Sequence, residues 1–114
     1  MIDHMTFRVT DLAQTRRRYE APLAPLGYRV LHEFEFDGQT MFGMGFDTSE
    51  GTKVTTWCIQ GASEYGEPVT RGCHLAWKAP TRAAVDAFYA AAMAHGAKDN
   101  GAPGVRPHYH PSYY

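Results

Sequence analysis

An α+β domain built from two related β-α-β-β-β modules, the second one short, is the fold class that the sequence predicts. Two observations carry that reading. The stretch DHMTFRVTD near the start is echoed by CHLAWKAPT further on. His4 aligns with His74, Met5 with Leu75, Phe7 with Trp77, Arg8 with Lys78 and Asp11 with Thr81, at a constant offset of 70 residues. The first helix is also followed by three extended segments in a row, two of them joined by the hairpin signal Asp37-Gly38. At 114 residues the chain is long enough for one domain with a real core.

Taken in order, residues 2–9 alternate as a strand, with Met5, Phe7 and Val9 on one face and His4, Thr6 and Arg8 on the other. Asp11 is placed to cap the helix that follows, with Gln14 as the reciprocal partner of a capping box. Leu12, Tyr19, Leu23 and Leu26 form its buried side, and Pro22 and Pro25 are expected to kink or end it near Glu20. Gly27 closes the element. Residues 28–36 alternate again, placing Tyr28, Val30, His32, Phe34 and Phe36 on one side and Arg29, Glu33 and Glu35 on the other. Strands are predicted over 39–46 and 53–60, separated by the polar loop DTSEGT.

The first module thus spans 1–60, a turn-rich linker occupies 61–71, and the second module takes up 72–114. In the second copy RGCHLAWKA reads as a strand and Thr81 as a helix N-cap. Val85, Phe88, Tyr89 and Ala92 mark the apolar stripe of the helix, and Gly96 stops it. HYHPSYY (108–114) reads as the start of a further extended segment. A second module as long as the first would run past Tyr114, so it is expected to be incomplete.

Composition excludes several function classes. A formal charge of -1 and a pI near 6.6 give no global field toward nucleic acid or an anionic membrane. Arg16, Arg17 and Arg18 read as the solvated face of a helix. No apolar run reaches the ~18 residues of a membrane span, and no secretory leader is visible. Cys58 and Cys73 lack metal-binding spacing and read as buried thiols in a reducing cytoplasm, with a disulfide as the alternative.

Histidines carry the chemistry. A lone histidine in an apolar strand is more often structural than functional, but His4 and His74 occupy the same place in each repeat. If the modules are related by a pseudo-twofold axis near these strands, the two imidazoles face each other on the side away from the helices. They would then make half of a divalent metal site, with a carboxylate as the usual third ligand. His108 and His110, two apart, would share a face. His110 is a candidate base or substitute ligand; alternatively the segment is an aromatic wall. Trp57 is either sheet core or a stacking surface for a planar ligand. His32 and His95 read as structural, Glu33 and Glu35 as solvated, and Met41, Met44 and Met93 as core.

The ordered set IDHMTFRVTDL, PLGY, TTWCIQ, HLAWKAPTRAAVDAFYAAA and GAPGVRPHYHPSYY resembles the vicinal oxygen chelate superfamily, the glyoxalase, bleomycin-resistance and extradiol-dioxygenase group. KDNGAPGVRPHYHPSYY looks like a bacterial glyoxalase-like subgroup. The resemblance implies a cupped mixed sheet around a divalent ion (Zn, Ni, Fe or Mn), with His4 and His74 matching the first-strand ligands. At the other ligand position of the first module, KVTTWCIQ offers Thr56, Trp57 and Cys58 instead of Glu or Gln, and the last strand of the second module is missing. The activity implied is that of a metal-dependent lyase, isomerase or dioxygenase acting on a small oxygen-rich substrate chelated through vicinal oxygens. The alternative is a metal-free binding protein whose cleft is formed by Trp57, Tyr109, His110, Tyr113 and Tyr114, in a homodimer.

Overall fold

Four strands and two helices form in the order expected of the first module and the second helix. The computed structural model describes residues 2–62, 66 and 73–114. Strand β1 (Met5–Val9) leads through helix α1 (Leu12–Leu23) and a 3-10 turn (Ala24–Leu26) to β2 (Arg29–Phe36), β3 (Gln39–Thr48) and β4 (Gly51–Gln60); helix α2 (Arg82–Ala94) comes later. The sheet order is β1-β4-β3-β2, with β1 parallel to β4 and the other pairs antiparallel. The class is therefore α+β with a mixed sheet. Among the described residues, no helix is long and apolar enough to cross a membrane.

Local chemistry fixes the element ends. Asp11 is extended (φ -133°), and its carboxylate accepts from the Gln14 amide at 2.8 Å. In place of the expected Gln14 side chain, the Thr15 hydroxyl donates to the Asp11 carbonyl at 2.7 Å and Gln60 Oε1 of β4 accepts from the Leu12 amide at 3.3 Å. Pro22 does not end α1 at Glu20 as expected. The helix continues to Leu23 because Pro22 falls in the last turn, where the chain tightens to 3-10, and burial of Pro22 and Leu23 offsets the lost hydrogen bond. Gly27 then turns in the left-handed region at φ 80°. Thr81 caps α2 by accepting from the Ala84 amide at 3.1 Å. At its other end Ala97 donates to the Ala92 carbonyl and Gly96 to that of Met93, the Schellman pattern.

Asp37 and Gly38 both have positive φ (51° and 70°), giving the tight hairpin anticipated between β2 and β3. The polar loop expected over 47–52 is mostly strand instead. β3 runs to Thr48, β4 starts at Gly51, and the Thr48 hydroxyl closes the tip by donating to the Gly51 carbonyl and accepting from the Glu50 amide.

Simple alternation fails in β2, and the reason is a pair of bulges. Val30 pairs with Met44 but His32 pairs with Gly43, which leaves Leu31 as an extra residue. On the other side of β3, Met44 pairs with Thr56 but Gly45 with Val54, which leaves Thr55 extra. Cross-strand partners share a face, so Val30, Met44 and Thr56 point to the helices while His32 points away from them. The expected single stripe Tyr28–Phe36 is therefore split between the two faces.

The helix-side core consists of Leu12, Leu23, Phe42, Met44 and Cys58, with Phe7, Val9, Tyr19, Leu26, Tyr28, Val30, Trp77 and Phe88 packed on it. Helix α2 rests on α1 and the 3-10 turn. Arg16 is not simply solvated: it reaches Glu20 at 2.9 Å and Glu33 at 2.6 Å, tying α1 to β2 and also drawing Glu33 out of a purely solvated role. The hydrogen bond to Glu20, followed by that to Glu33, raises the Arg16 guanidinium above its ordinary pKa.

Two expectations for the second module need correction. Among the described residues, 73–79 of the anticipated strand form no ladder and β1 pairs with β4 alone; the segment is instead held against α1 through Trp77, whose ring centroid lies 5.8 Å from that of Tyr19. Residues 108–114 are turns, closed by bonds such as Arg106 N to Tyr113 O at 2.7 Å, so the period-two reading of His108 and His110 does not apply. Most of the linker 61–71 and the start of that strand (71–72) lie outside the described residues. Cys73 is exposed rather than buried, and both thiols are free.

Two outcomes are expected. A Cβ at position 45 would overlap the Lys53 carbonyl oxygen and crowd Leu31 Cδ1 at 2.9 Å, so Gly45→Ala is expected to lower stability by ~3 kcal/mol in urea unfolding. Burial pushes the Cys58 thiol up to about 11. One thiol per chain, Cys73, is therefore expected to alkylate at neutral pH in the native protein and both in denaturant, as read by intact mass.

Candidate functional site

The sheet face turned away from the helices carries an aromatic row produced by the bulges. Thr6, Trp57, Gly43 and His32 lie in register across the four strands, and Arg8, Ile59, Met41 and Phe34 form the next row. The Trp57 indole lies across Gly43: a Cβ there would come within 2.8 Å of the ring, so only glycine lets the indole lie that flat on the strand. His32 stacks on one side of Trp57 (centroids 6.2 Å apart, planes 18° apart), and Phe34 meets it edge-on at 5.6 Å. Phe34 is 46% exposed and Phe36 70%, which is unusual for phenylalanines on adjacent same-face positions of one strand. Arg8 borders the row, donating to Gln39 Oε1 at 2.8 Å and to the Ala62 carbonyl at 3.1 Å.

This arrangement can do one thing chemically without rearrangement: it presents a flat, apolar, polarisable surface to a planar partner. Trp57 was legible in the sequence as a stacking candidate. His32 and Phe34 were not, because the alternation put them with the core residues Tyr28 and Val30. The signal that could have found them is the pair Gly43 and Gly45 inside a strand pattern, which marks bulges and close approach.

The histidine pair is placed differently from the aromatic row. His4 stands just before β1, is exposed, and shares its Nδ1 with the Asp3 carboxylate at 3.0 Å. Asp3 also pairs with Lys53, and the hydrogen bond from His4, then that from Lys53, holds the Asp3 carboxyl below its ordinary pKa. His4 lines a cavity of about 260 Å³ with Leu75, Ala76, Trp77 and Lys78; His74, exposed and next in sequence, is not in its wall. Among the described residues no three His, Cys, Asp or Glu side chains gather as a metal would need. Among the described residues, His4 just before β1, with Asp3 on its Nδ1, and His74 on a segment without a ladder partner do not gather a further ligand between them.

The C-terminal candidates cluster elsewhere. Tyr109 meets Tyr113 edge-on at 5.2 Å, and His108 contacts Tyr109 at 4.3 Å. His110 accepts from the Ser112 amide through Nδ1. The Tyr114 hydroxyl donates to Asp86 at 2.8 Å, and its ring lies under Arg82. That bond to Asp86 is the main cause raising the Tyr114 phenol above its ordinary pKa. Tyr113 and Tyr114 face Val85, Phe88 and Tyr89 across a cavity of about 260 Å³, so the tail covers α2. His95 donates through Nδ1 to the Ala91 carbonyl at 3.0 Å, at the end of the same helix.

The chain is similar in structure to a glyoxalase/bleomycin resistance protein from Albidiferax ferrireducens T118, with a TM-score of 0.60 and 23% identity over 92% of this chain and 80% of that one. No curated protein matches the sequence. The family model of the Glyoxalase/Bleomycin resistance protein/Dioxygenase superfamily matches residues 1–112, nearly the whole chain. With its β-α-β-β-β module and mixed sheet, this chain belongs to the Glyoxalase/Bleomycin resistance protein/Dioxygenase superfamily.

Proposed function

We propose that this protein binds a planar aromatic small molecule on the open face of its sheet, stacked on Trp57 and enclosed by a second copy of the chain. The observation that carries the reading is the His32–Trp57–Phe34 row, set flat over Gly43 and continued by the exposed Phe36. Stacking needs no charge and tolerates varied ring systems. A single open face loses much of the gain to water on its other side. Burying Phe34 and Phe36 against a twin surface would supply the missing wall. Two free thiols support a reducing, cytoplasmic setting.

A second reading, a metal-dependent lyase, isomerase or dioxygenase acting on a substrate chelated through vicinal oxygens, is favoured by the Asp3–His4 pair. A carboxylate on Nδ1 fixes the tautomer that leaves Nε2 as the lone-pair donor, the arrangement seen behind many metal-binding imidazoles. The further ligands for Zn, Ni, Fe or Mn would come from His74, His110 or the other protomer.

Titration with a panel of fused-ring aromatics, followed by Trp57 fluorescence, tests the first reading. Trp57→Ala is expected to weaken binding about ten-fold, and Phe36→Asp to shift the protein toward monomer in sedimentation. Unchanged affinity in Trp57→Ala would sink it. The second reading predicts about one transition metal per chain by elemental analysis after loading, lost in His4→Ala and His74→Ala; equal metal in all three proteins rejects those ligands.

A further inference from the structure

The cavity of about 320 Å³ on the helix side of the sheet lies across the sheet from Trp57 and has neither His4 nor His74 in its wall, though it shares Thr56, Leu75 and Trp77 with the cavity beside His4. Phe7 of β1, Met44 of β3 and the docked side chains Leu75 and Trp77 give it apolar walls. Its two thiols show which way it runs: Cys58 is 2% exposed in the core and Cys73 is exposed, so the space leads from solvent into the protein. At the inner wall stands Thr56, the only buried polar side chain among the described residues, at 6% exposure. Its hydroxyl has no side-chain hydrogen-bond partner among those residues. A buried hydroxyl without a partner costs about 1–3 kcal/mol, so one in the wall of a cavity marks a place for an acceptor or donor brought from outside.

We propose that this cavity is a second small-molecule site, taking a neutral monocyclic aromatic that bears a hydroxyl, with Thr56 as its hydrogen-bond partner. Size sets the ring count: a dry cavity of about 150 Å³ admits benzene, and this one has room for a substituted ring. The walls set the charge. Burial keeps the Cys58 thiol protonated and raises the Tyr19 phenol above its ordinary pKa, so both line the site as neutral groups. Arg8 borders the cavity, but its guanidinium is turned to Gln39 and Ala62 on the other face. An ionised ligand would be left without a counter-charge, whereas a ligand hydroxyl can both give to and accept from Thr56.

Phenol and toluene, equal in shape and differing in one hydroxyl, are the probes. Nuclear magnetic resonance of the two indole N–H groups separates the helix side from the open face, because Trp77 lines this cavity and its neighbour beside His4 while Trp57 lies on the open face; His4→Ala, which alters only the neighbouring cavity, should leave the response unchanged. The expected result is saturable movement of the Trp77 signal with Trp57 unmoved, phenol binding more tightly than toluene. Thr56→Val, which keeps the volume, should weaken phenol about five-fold and leave toluene unchanged. Movement of the Trp57 signal alone, no saturation, no preference for phenol in the native protein, or a preference that survives Thr56→Val would each overturn the proposal.

Discussion

Gly45 sits where two neighbouring strands each carry one residue too many. Leu31 is extra on one side of it and Thr55 on the other, and the Lys53 carbonyl lies where a side chain would begin. A bulge re-aims every side chain beyond it. Here two bulges at one level send Val30, Met44 and Thr56 to the helices and His32, Gly43 and Trp57 to the open side. The core, the aromatic face and the inner wall of the large cavity all follow from that offset. The Tyr28 hydroxyl, 2.9 Å from the Thr55 hydroxyl, braces the bulged strand from the end of the helical crossover.

Strand β4 is consequently a partition between two chemically different spaces. Thr56 and Cys58 face the weakly polar helix side, and Trp57 between them faces out onto a flat aromatic surface. Alternation makes this cheap in sequence length: three consecutive residues serve two sites. It also makes the two sites structurally linked, because any change that tilts β4 moves both walls at once. The short contact between Trp57 and Gly43 limits how far it can tilt.

What the sequence made legible, and what it did not, divides along the same physical line. Caps, turns and helix faces depend on a few adjacent residues, and Asp11, Asp37-Gly38, Thr81 and Gly96 behaved as their local chemistry dictates. The core stripe Leu12–Tyr19–Leu23 was readable for the same reason. Register was not readable, since a bulge depends on what the next strand does; hence His32 and Phe34 were assigned to the wrong face. The segment after Cys73 has strand composition, but composition supplies no partner, and Trp77 finds Tyr19 on a helix instead. The C-terminal tyrosines were read as one cleft with Trp57, yet Asp86 and Arg82 draw Tyr114 onto α2. Their targets lie far away in sequence, and no spacing rule reaches that far.

The parallel pairing of β1 with β4 has a kinetic meaning. Strands β2, β3 and β4 form a meander in which each partner lies one short turn away, so their pairing closes small loops. Met5 must find Thr56 across the whole first module, after α1 has carried the chain from one edge of the sheet to the other. Loop-closure entropy and contact order both weigh on that step more than on any other in the sheet. Phe7 on one side of β1 and Thr6 and Arg8 on the other reach their places only through it. Both faces of the sheet are thus completed by the same long-range event: a meander without β1 holds the aromatic row of β2–β4 but lacks the Thr6 and Arg8 edge of one face and the Phe7 wall of the other.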